Sequence, residues 1–125
     1  MKNTHSEPED FLPLSPTVFH ILLALADRER HGYGIMQEIS QKTDGTVRMG
    51  PGTLYGSIKR MLADRLIKES AERPDPELDD ERRRYYCLTD FGQRVMRAEA
   101  QRLVQVVRIA QMKHILADPE LIGGA

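Results

Sequence analysis

The chain has little of what several classes of protein require. It contains a single cysteine, Cys87, so no disulfide can form within the chain and no metal site can use two of its cysteines. No apolar run approaches the roughly 18 residues that a membrane-spanning helix needs. The first ten residues, MKNTHSEPED, lack the apolar segment of a signal peptide. We therefore expect a protein of the reducing cytoplasm that has no membrane segment.

Neither the histidines nor the net charge points to a particular function. The four histidines are scattered along the chain: His5, His20, His31 and His114. They show neither metal-ligand spacing nor pairing with a nucleophile, so the sequence predicts no metal site, no cofactor and no enzyme activity. The formal net charge of −1 lacks the basic excess of many nucleic-acid-binding proteins. Charge distribution matters more, because acidic residues concentrate near the N-terminus and over 75–81, and basic residues group elsewhere.

The most informative stretch runs from Gly50 to Ile67. Pro51 suits the first turn of a helix, where its missing N–H would be unpaired in any case. Apolar residues then recur at helical spacing and predict a core-facing stripe: Leu54, Ile58, Met61 and Leu62. The opposite face has small residues at its N-terminal end, one tyrosine, and basic residues further along. It consists of Gly52, Thr53, Tyr55, Gly56, Lys59 and Arg60.

This second face suits a close approach to an anionic partner. A helix N-terminus attracts negative charge through its free N–H groups and its dipole. We expect the helix to lie N-terminus first in the major groove of DNA. Taken alone, the stretch fits an ordinary amphipathic helix with a solvated basic face equally well, so its neighbours decide.

Two helices precede this one. Ser15 and Pro16 supply the cap and first residue of a helix that continues to about Ala26. It is apolar on more than one side, which indicates burial against its own domain and against a partner. The second helix runs from Ile35 to about Lys42, and turn residues join it to the third. Three helices separated by short turns predict a helix-turn-helix unit.

The pattern changes after the third helix. Residues 66–71 and 85–88 are predicted strands, the second because aromatic residues favour it. A proline-containing acidic loop over 73–81 separates them, so they form a hairpin and make the domain a winged helix. Two short segments inside the domain are read as a charged break, 27–30, and as an extended, β-prone stretch, 47–49.

The C-terminal helix is too long for its own domain. Thr89 caps it, and it runs from Asp90 or Phe91 to about Leu116, close to ~40 Å. A second copy of the chain most simply buries the surplus apolar seam; the alternative is a helix folded back on its own domain. The expected dimer interface combines the first and last helices: Phe19, Leu22, Leu23, Met96, Leu103, Val106, Val107 and Ala110.

The predicted fold class is mainly α with a small β-hairpin, a winged helix-turn-helix domain followed by a long dimerisation helix. The expected divisions are a flexible arm over 1–13, the winged domain over 14–89, the dimerisation helix over 90–117 and a flexible tail over 118–125.

Four motifs resemble the PadR-like family of transcriptional regulators. They are LSP at 14–16, HGYGI at 31–35, GTLY at 52–55 and RRYYCLTDFG at 83–92. The single C-terminal helix resembles the short branch of that family. The resemblance implies a dimeric winged-helix repressor whose third helix enters the major groove, while the wing approaches the DNA backbone or minor groove. It also implies a response, in many members, to small aromatic or cationic compounds held near the dimer interface.

In this interpretation the third helix divides into readers and positioners. Its small N-terminal residues and Tyr55 reach base edges or nearby phosphates, and Lys59 and Arg60 contact phosphates. Tyr33 either touches the flanking DNA backbone or packs under the hairpin. The wing arginines either reach phosphate or neutralise the acidic residues beside them; they are Arg82, Arg83 and Arg84.

A two-fold dimer of this kind is expected to read an inverted repeat with half-sites about 34 Å apart and to repress by occluding a promoter, released by a small-molecule effector. The alternative is a winged-helix protein-interaction module that does not bind DNA, which the acidic wing and neutral charge favour. Cys87 is expected to be an inert packing residue rather than a redox sensor.

Overall fold

The structure, a computed structural model, describes residues 7–70 and 84–117. Its elements follow the order α1 (Pro16–Ala24), β1 (Arg30–His31), α2 (Gly32–Lys42), α3 (Pro51–Ala63), β2 (Ile67–Glu69), β3 (Tyr85–Leu88) and α4 (Asp90–Met112), preceded by a 3-10 helix over Pro8–Phe11. The winged helix-turn-helix predicted from the sequence is confirmed, and a long C-terminal helix follows it.

Side-chain caps explain where three of the helices begin. The Ser15 hydroxyl accepts the Val18 N–H at 3.2 Å at the start of α1. His31 Nδ1 accepts the Gly34 N–H at 3.0 Å before α2, and Thr89 Oγ1 accepts the Gly92 N–H at 2.9 Å before α4. Each bond pairs a backbone donor that has no partner inside its own helix.

The core lies where the four helices of the described residues meet the sheet. Its fully buried members come from every helix and include Ile21, Ile35, Leu54, Ile58 and Val95. Two residues expected at a dimer interface also belong to this core: Leu22 and Met96. Their side chains are buried inside the protomer and give a partner almost no surface. Because α1 is apolar on several sides, its sequence could not show which of its positions face inward.

The sheet has one more strand than the sequence predicted. Its order is β1-β3-β2, with both pairs antiparallel, and Arg30 of β1 lies opposite Tyr86 of β3. Arg30 donates from Nε to the Ala24 carbonyl at 2.7 Å and pairs with Glu38 at 3.3 Å. The expectation of a plain charged break over 27–30 is therefore wrong at Arg30. A two-residue strand carries no alternation that a sequence pattern could reveal.

Other boundaries also differ from expectation. β2 covers Ile67–Glu69 rather than 66–71, and the β-prone stretch 47–49 forms no strand. α4 ends at Met112 instead of near Leu116, followed by a turn in which His114 has φ 60°. The acidic wing loop and the C-terminal tail fall outside the described residues.

The segment before α1 corrects the expectation of a flexible arm over 1–13. The 3-10 helix Pro8–Phe11 lies against α4, with Pro8 buried. The Phe11 ring meets the Phe91 ring edge-to-face at 5.4 Å between centroids. Two apolar anchors in a polar stretch give no periodic signal, so the pattern did not reveal them. Residues 1–6 lie outside the description.

The end of α3 is tied directly to the start of α4. The Thr89 hydroxyl donates to the Arg65 carbonyl at 2.5 Å, and the Thr89 N–H donates to the Leu66 carbonyl at 3.2 Å. Gly92 lies so close to the Leu66 carbonyl that a Cβ there would collide with backbone. Thr89 therefore caps α4 and also fixes where α4 leaves the winged domain.

Replacing Thr89 tests this junction. We expect Thr89→Ala to lower the free energy of unfolding by about 2 kcal/mol, the upper part of the range for a lost cap, because the Arg65 carbonyl also loses its donor. Thr89→Ser, which keeps the hydroxyl, should recover most of that loss. Urea titration followed by circular dichroism measures both. A loss no larger than that of Ser15→Ala, which removes a cap alone, would contradict the second role.

Candidate nucleic-acid interface

α3 has one buried face and one exposed face. Leu54, Ser57, Ile58 and Met61 are buried, and Leu62 packs partly buried against the core. The structure exposes all six residues that the sequence assigned to the opposite face: Gly52, Thr53, Tyr55, Gly56, Lys59 and Arg60. The packing of α3 therefore leaves this set free to meet another molecule.

The two glycines of the exposed face have no packing reason to be glycines. No described atom lies within 4 Å of a Cβ built at Gly52 or Gly56. A glycine inside a helix costs roughly 0.5–1 kcal/mol relative to alanine. Packing within the protomer does not require glycine at these two positions, although glycine lowers the stability of the helix. Glycines there fit a surface that the backbone of another molecule approaches closely.

The N-terminus of α3 differs from those of the other three helices. Gly50 provides no side-chain cap there, whereas α1, α2 and α4 each have one. Gly50, Pro51 and Gly52 are all exposed. The first N–H groups of α3 are thus accessible, and together with the helix dipole they favour an anion such as phosphate.

Tyr55 is held more firmly than its neighbours on this face. It is 38% exposed, and its ring and hydroxyl lie against Gly32 at the start of α2, where a Cβ would overlap them. Burial raises the pKa of Tyr86 in β3, and Glu69 and Tyr55 raise it further, against a smaller opposing effect of Arg84. The contact with Gly32 joins α3 to the start of α2 and fixes the direction of the Tyr55 ring.

Tyr33 lies beside this contact on the outer surface. It is 61% exposed and stacks on His31 at 6.5 Å between ring centroids. His31 in turn meets Tyr85 of β3 edge-to-face at 5.2 Å. The large exposure of Tyr33 does not fit the alternative in which its ring packs under the hairpin.

Of the three wing arginines, the structure describes only Arg84. Its guanidinium pairs with Glu69 of β2 at 3.2 Å, and both side chains are 44% exposed. An ion pair this open contributes at most about 1 kcal/mol, so it does not prevent Arg84 from turning to another anion. Arg82, Arg83 and the acidic residues 79–81 fall outside the described residues.

Two further charged residues were not assigned a role from the sequence. Arg48 is exposed directly before α3, and its guanidinium lies over the turn at Gly45, whose φ is 78°. Glu99 is buried in the middle of the apolar seam of α4 and bound by Arg102. The signal for Glu99 was available: an acid on the apolar face followed three residues later by an arginine.

The second half of α4 exposes apolar side chains. The residues expected at a dimer interface there are exposed or half-buried: Leu103, Val106, Val107 and Ala110. Val104, Ile109 and Met112 are exposed as well, Met112 to 74%. On α1, Leu23 is exposed and Phe19 is half-buried. Exposed apolar residues in this number along one half of a helix are typical of a surface that another molecule covers.

Other expected absences concern metals and membranes. The described residues contain no group of three or more side chains able to hold a metal ion, and Cys87 is a half-buried free thiol in β3. Within the same residues, no helix has the length and apolar character needed to cross a membrane.

A winged helix-turn-helix with an exposed basic third helix and a long C-terminal helix is the architecture of a class of transcriptional regulators. Residues 21–98 match the model of the transcriptional regulator PadR-like family, and the chain belongs to that family. The fold and the relatives are those of regulators and not of enzymes.

Two relatives show how far the sequence likeness extends. The transcriptional regulator Rv3488 of Mycobacterium tuberculosis is 35% identical over 89 residues, which are 71% of this chain and 77% of that protein. An uncharacterised 37.1 kDa protein of transposon Tn4556 from Streptomyces fradiae is 35% identical over 86 residues, 69% of this chain. The matched part is 22% of that second relative, which is a much longer protein.

Solved structures share the fold. A PadR family transcription regulator from Clostridium difficile R20291 superposes with a TM-score of 0.63 at 23% identity, covering 78% of this chain and 97% of its own. RosR of H. salinarum, in the hsRosR-S4 complex, gives a TM-score of 0.63 at 20% identity and covers 92% of this chain and 96% of its own.

The close approach of Tyr55 to Gly32 can be tested by substitution. Gly32→Ala should displace the Tyr55 ring and lower the free energy of unfolding by about 1–3 kcal/mol, the usual cost of forcing an extra methyl into a packed site. Gly34→Ala is the matched control, because a Cβ there meets ordinary contacts at 3.5 Å or more. Chemical denaturation and the NMR shifts of the Tyr55 ring report both effects. Equal behaviour of the two variants would contradict the contact.

Proposed function

We propose that the protein is a sequence-specific DNA-binding repressor that acts as a homodimer on an inverted-repeat operator in the cytoplasm. The observation that carries the proposal is the exposed face of α3. It combines glycines that the protomer does not need, an uncapped helix N-terminus and two basic residues one turn further on. A recognition helix in the major groove contacts base edges with its N-terminal residues, and basic side chains on its exposed face contact phosphates.

Residues along the exposed face of α3 are proposed to contact different parts of the DNA, according to their distance from the start of the helix. Gly52, Thr53 and Gly56 let the first turns of α3 approach base edges, and Tyr55 presents its hydroxyl from a fixed position. Lys59 and Arg60 contact phosphates and contribute affinity without sequence preference. Tyr33 and Arg48, both exposed, and the wing arginines are expected to contact the flanking backbone.

The distal half of α4 supports the homodimer. At about 1.5 Å per residue, α4 is roughly 35 Å long, and only its N-terminal half packs on its own domain. A second copy, related by a two-fold axis, buries the remaining apolar surface against itself and against Leu23 and Phe19 of α1. The same axis relates two α3 helices, which sets half-sites about 34 Å apart or a multiple of that distance.

A small-molecule effector completes the proposal. An open groove of about 640 Å³ lies between the N-terminal segment and α4, and its lining includes Leu12, Ala98, Arg102, Val104 and Arg108. A ligand beside α4 would shift the angle between the two winged domains and release the operator, which calorimetry and operator-release assays with candidate ligands test.

The second candidate is a winged-helix interaction module without DNA binding. The net charge of −1 and the pairing of Arg84 with Glu69 favour it. The exposed face of α3 opposes it, because an uncapped helix N-terminus followed by exposed Lys59 and Arg60 suits an anionic partner such as phosphate.

DNA binding is tested by mobility shift on the region upstream of the protein's own gene at several salt concentrations. We expect a sequence-specific shift whose logarithmic salt slope falls in magnitude by about 1.8 in Lys59→Ala, because one phosphate contact, worth about 0.9, is lost in each of the two half-sites. Gly56→Ala should weaken binding while stabilising α3 by about 0.5–1 kcal/mol. Arg97→Ala, an exposed arginine on α4, is the matched control and should change neither value.

The opposite effects of Gly56→Ala on stability and on DNA affinity distinguish a DNA-binding face of α3 from an exposed face without a role in binding. A variant that is more stable and binds DNA equally well would leave the exposed face without a role in binding. Absence of any shift of the wild-type protein at low salt would favour the interaction module.

The dimer is tested separately with Val106→Glu. Val106 is exposed in the protomer, so the substitution should leave the fold intact while a buried, unpaired carboxylate weakens the dimer by about 2–4 kcal/mol. Sedimentation velocity should then show a monomer, and operator affinity should fall with it. Gln93→Glu places the same charge on the first half of α4 and should remain dimeric. A dimeric Val106→Glu protein would contradict the proposed interface.

A further inference from the structure

Glu99 is a charged residue at a position where the pattern of α4 calls for an apolar one. It lies on the same face as Met96 and Leu103, three residues before it and four after, and it is 2% exposed. Burying a carboxylate is costly unless charge and hydrogen bonds compensate it. The proposed binding of DNA by α3 does not explain why a carboxylate is buried at this position.

Three hydrogen bonds hold this carboxylate. Arg102 donates from Nε to Oε1 at 2.6 Å and from Nη2 to Oε2 at 3.0 Å, a two-point contact with matching geometry. The backbone N–H of Leu14 donates to Oε2 at 3.1 Å. The Arg102 bond and the Leu14 N–H together hold the pKa of Glu99 below its usual value against the effect of burial, so the group is an anion at neutral pH.

The Leu14 bond joins two elements that are 85 positions apart in sequence. Leu14 directly precedes Ser15, the cap of α1, and follows the 3-10 helix whose Phe11 ring packs on Phe91 of α4. Glu99 thus ties the start of α1 to the middle of α4, just before the half of α4 that exposes its apolar side chains.

Only the acidic partner of this ion pair is buried, since the Arg102 side chain is 38% exposed and that of Glu99 is 3% exposed. A charge buried in this way is poor at adding stability, because an apolar residue of similar volume often serves as well or better. Its best-supported use is to select one arrangement among several that pack similarly. An apolar side chain at position 99 would bury equal area but would leave the Leu14 N–H unpaired, and nothing would fix how α4 is rotated against the entry to α1.

We propose that Glu99 is a positioning residue that fixes the angle between α4 and the α1 side of the winged domain, and through it the spacing of the half-sites that the dimer accepts. The inference rests on the proposed function, since it concerns two reading helices joined through α4. One added base pair moves a half-site by about 3.4 Å along the DNA axis and turns it by about 35° around that axis, so the angle at which α4 holds each winged domain decides which operator spacing fits.

The test is a selection by the full-length protein from a library of one inverted repeat whose spacer varies in steps of one base pair. The wild-type protein should enrich one spacer length. Glu99→Met should remain folded and dimeric, because it replaces the charge with an apolar chain of similar length, yet it should enrich neighbouring spacers as well. We expect discrimination between adjacent lengths to fall about tenfold, comparable to the effect of a mismatched base pair.

Glu38→Gln is the matched control. Glu38 is another largely buried acid paired with an arginine, Arg30, but that pair lies within the winged domain and does not reach α4. Its spacer preference should equal that of the wild type. Hydrogen exchange of the Leu14 amide gives a readout that does not depend on DNA, and it should quicken in Glu99→Met and not in the control.

The outcomes separate the two proposals. A wild-type protein that selects no DNA overturns the proposed function and this inference with it. A wild-type protein that selects one spacer, together with a folded Glu99→Met dimer that selects the same spacer as sharply, overturns this inference alone. If Glu99→Met does not fold, Glu99→Gln decides together with the exchange of the Leu14 amide. If that exchange quickens, discrimination should broaden, and unchanged discrimination overturns the inference. If that exchange is unchanged, the Leu14 bond is kept, discrimination should stay as sharp as in the wild type, and broadening overturns the inference.

Discussion

The backbone of Leu66 and the side chain of Thr89 meet at the point where α3, β2 and α4 come together. Thr89 gives its hydroxyl to the Arg65 carbonyl at 2.5 Å and its N–H to Leu66 at 3.2 Å, and Gly92 leaves no room for a side chain between them. Every other part of the site depends on this contact. It sets the direction in which α4 leaves the domain, and therefore how a partner copy would present its own α3.

Two surfaces of different chemistry follow from that arrangement. The exposed face of α3 is small and polar with basic residues, and the distal half of α4 is apolar. Membership of the PadR-like family assigns the fold to transcriptional regulation. The two surfaces lie on elements joined by the Thr89 contact, and Glu99 adds a second attachment between α4 and the start of α1. In the proposed repressor, these two contacts would hold α4, the dimer helix, at a fixed angle to the winged domain that contains α3.

The helices, and the starts of α1, α3 and α4, were predictable because local chemistry determines them. The start of α2 was not: it was predicted at Ile35, but α2 begins at Gly32, after the cap His31. Ser15, Pro16, Pro51 and Thr89 mark helix starts by their own bonding, and apolar residues repeat at helical spacing. Strand β1 was not predictable, since its two residues cannot show the alternation of apolar and polar residues that marks a strand. Long-range contacts were also missed: the docking of the N-terminal 3-10 helix, the place of Leu22 inside the protomer, and the Leu14 bond to Glu99.

The separation of the two faces of α3 has an evolutionary consequence. Gly52, Thr53, Gly56 and Lys59 are exposed outside the core, so they can be replaced at little cost in folding free energy. Tyr55 is the exception, because its ring packs against Gly32. If the proposed reading of DNA holds, paralogues with this fold would diverge toward new target sequences through single substitutions at those four positions, whereas a change at Tyr55 would require an accompanying change elsewhere.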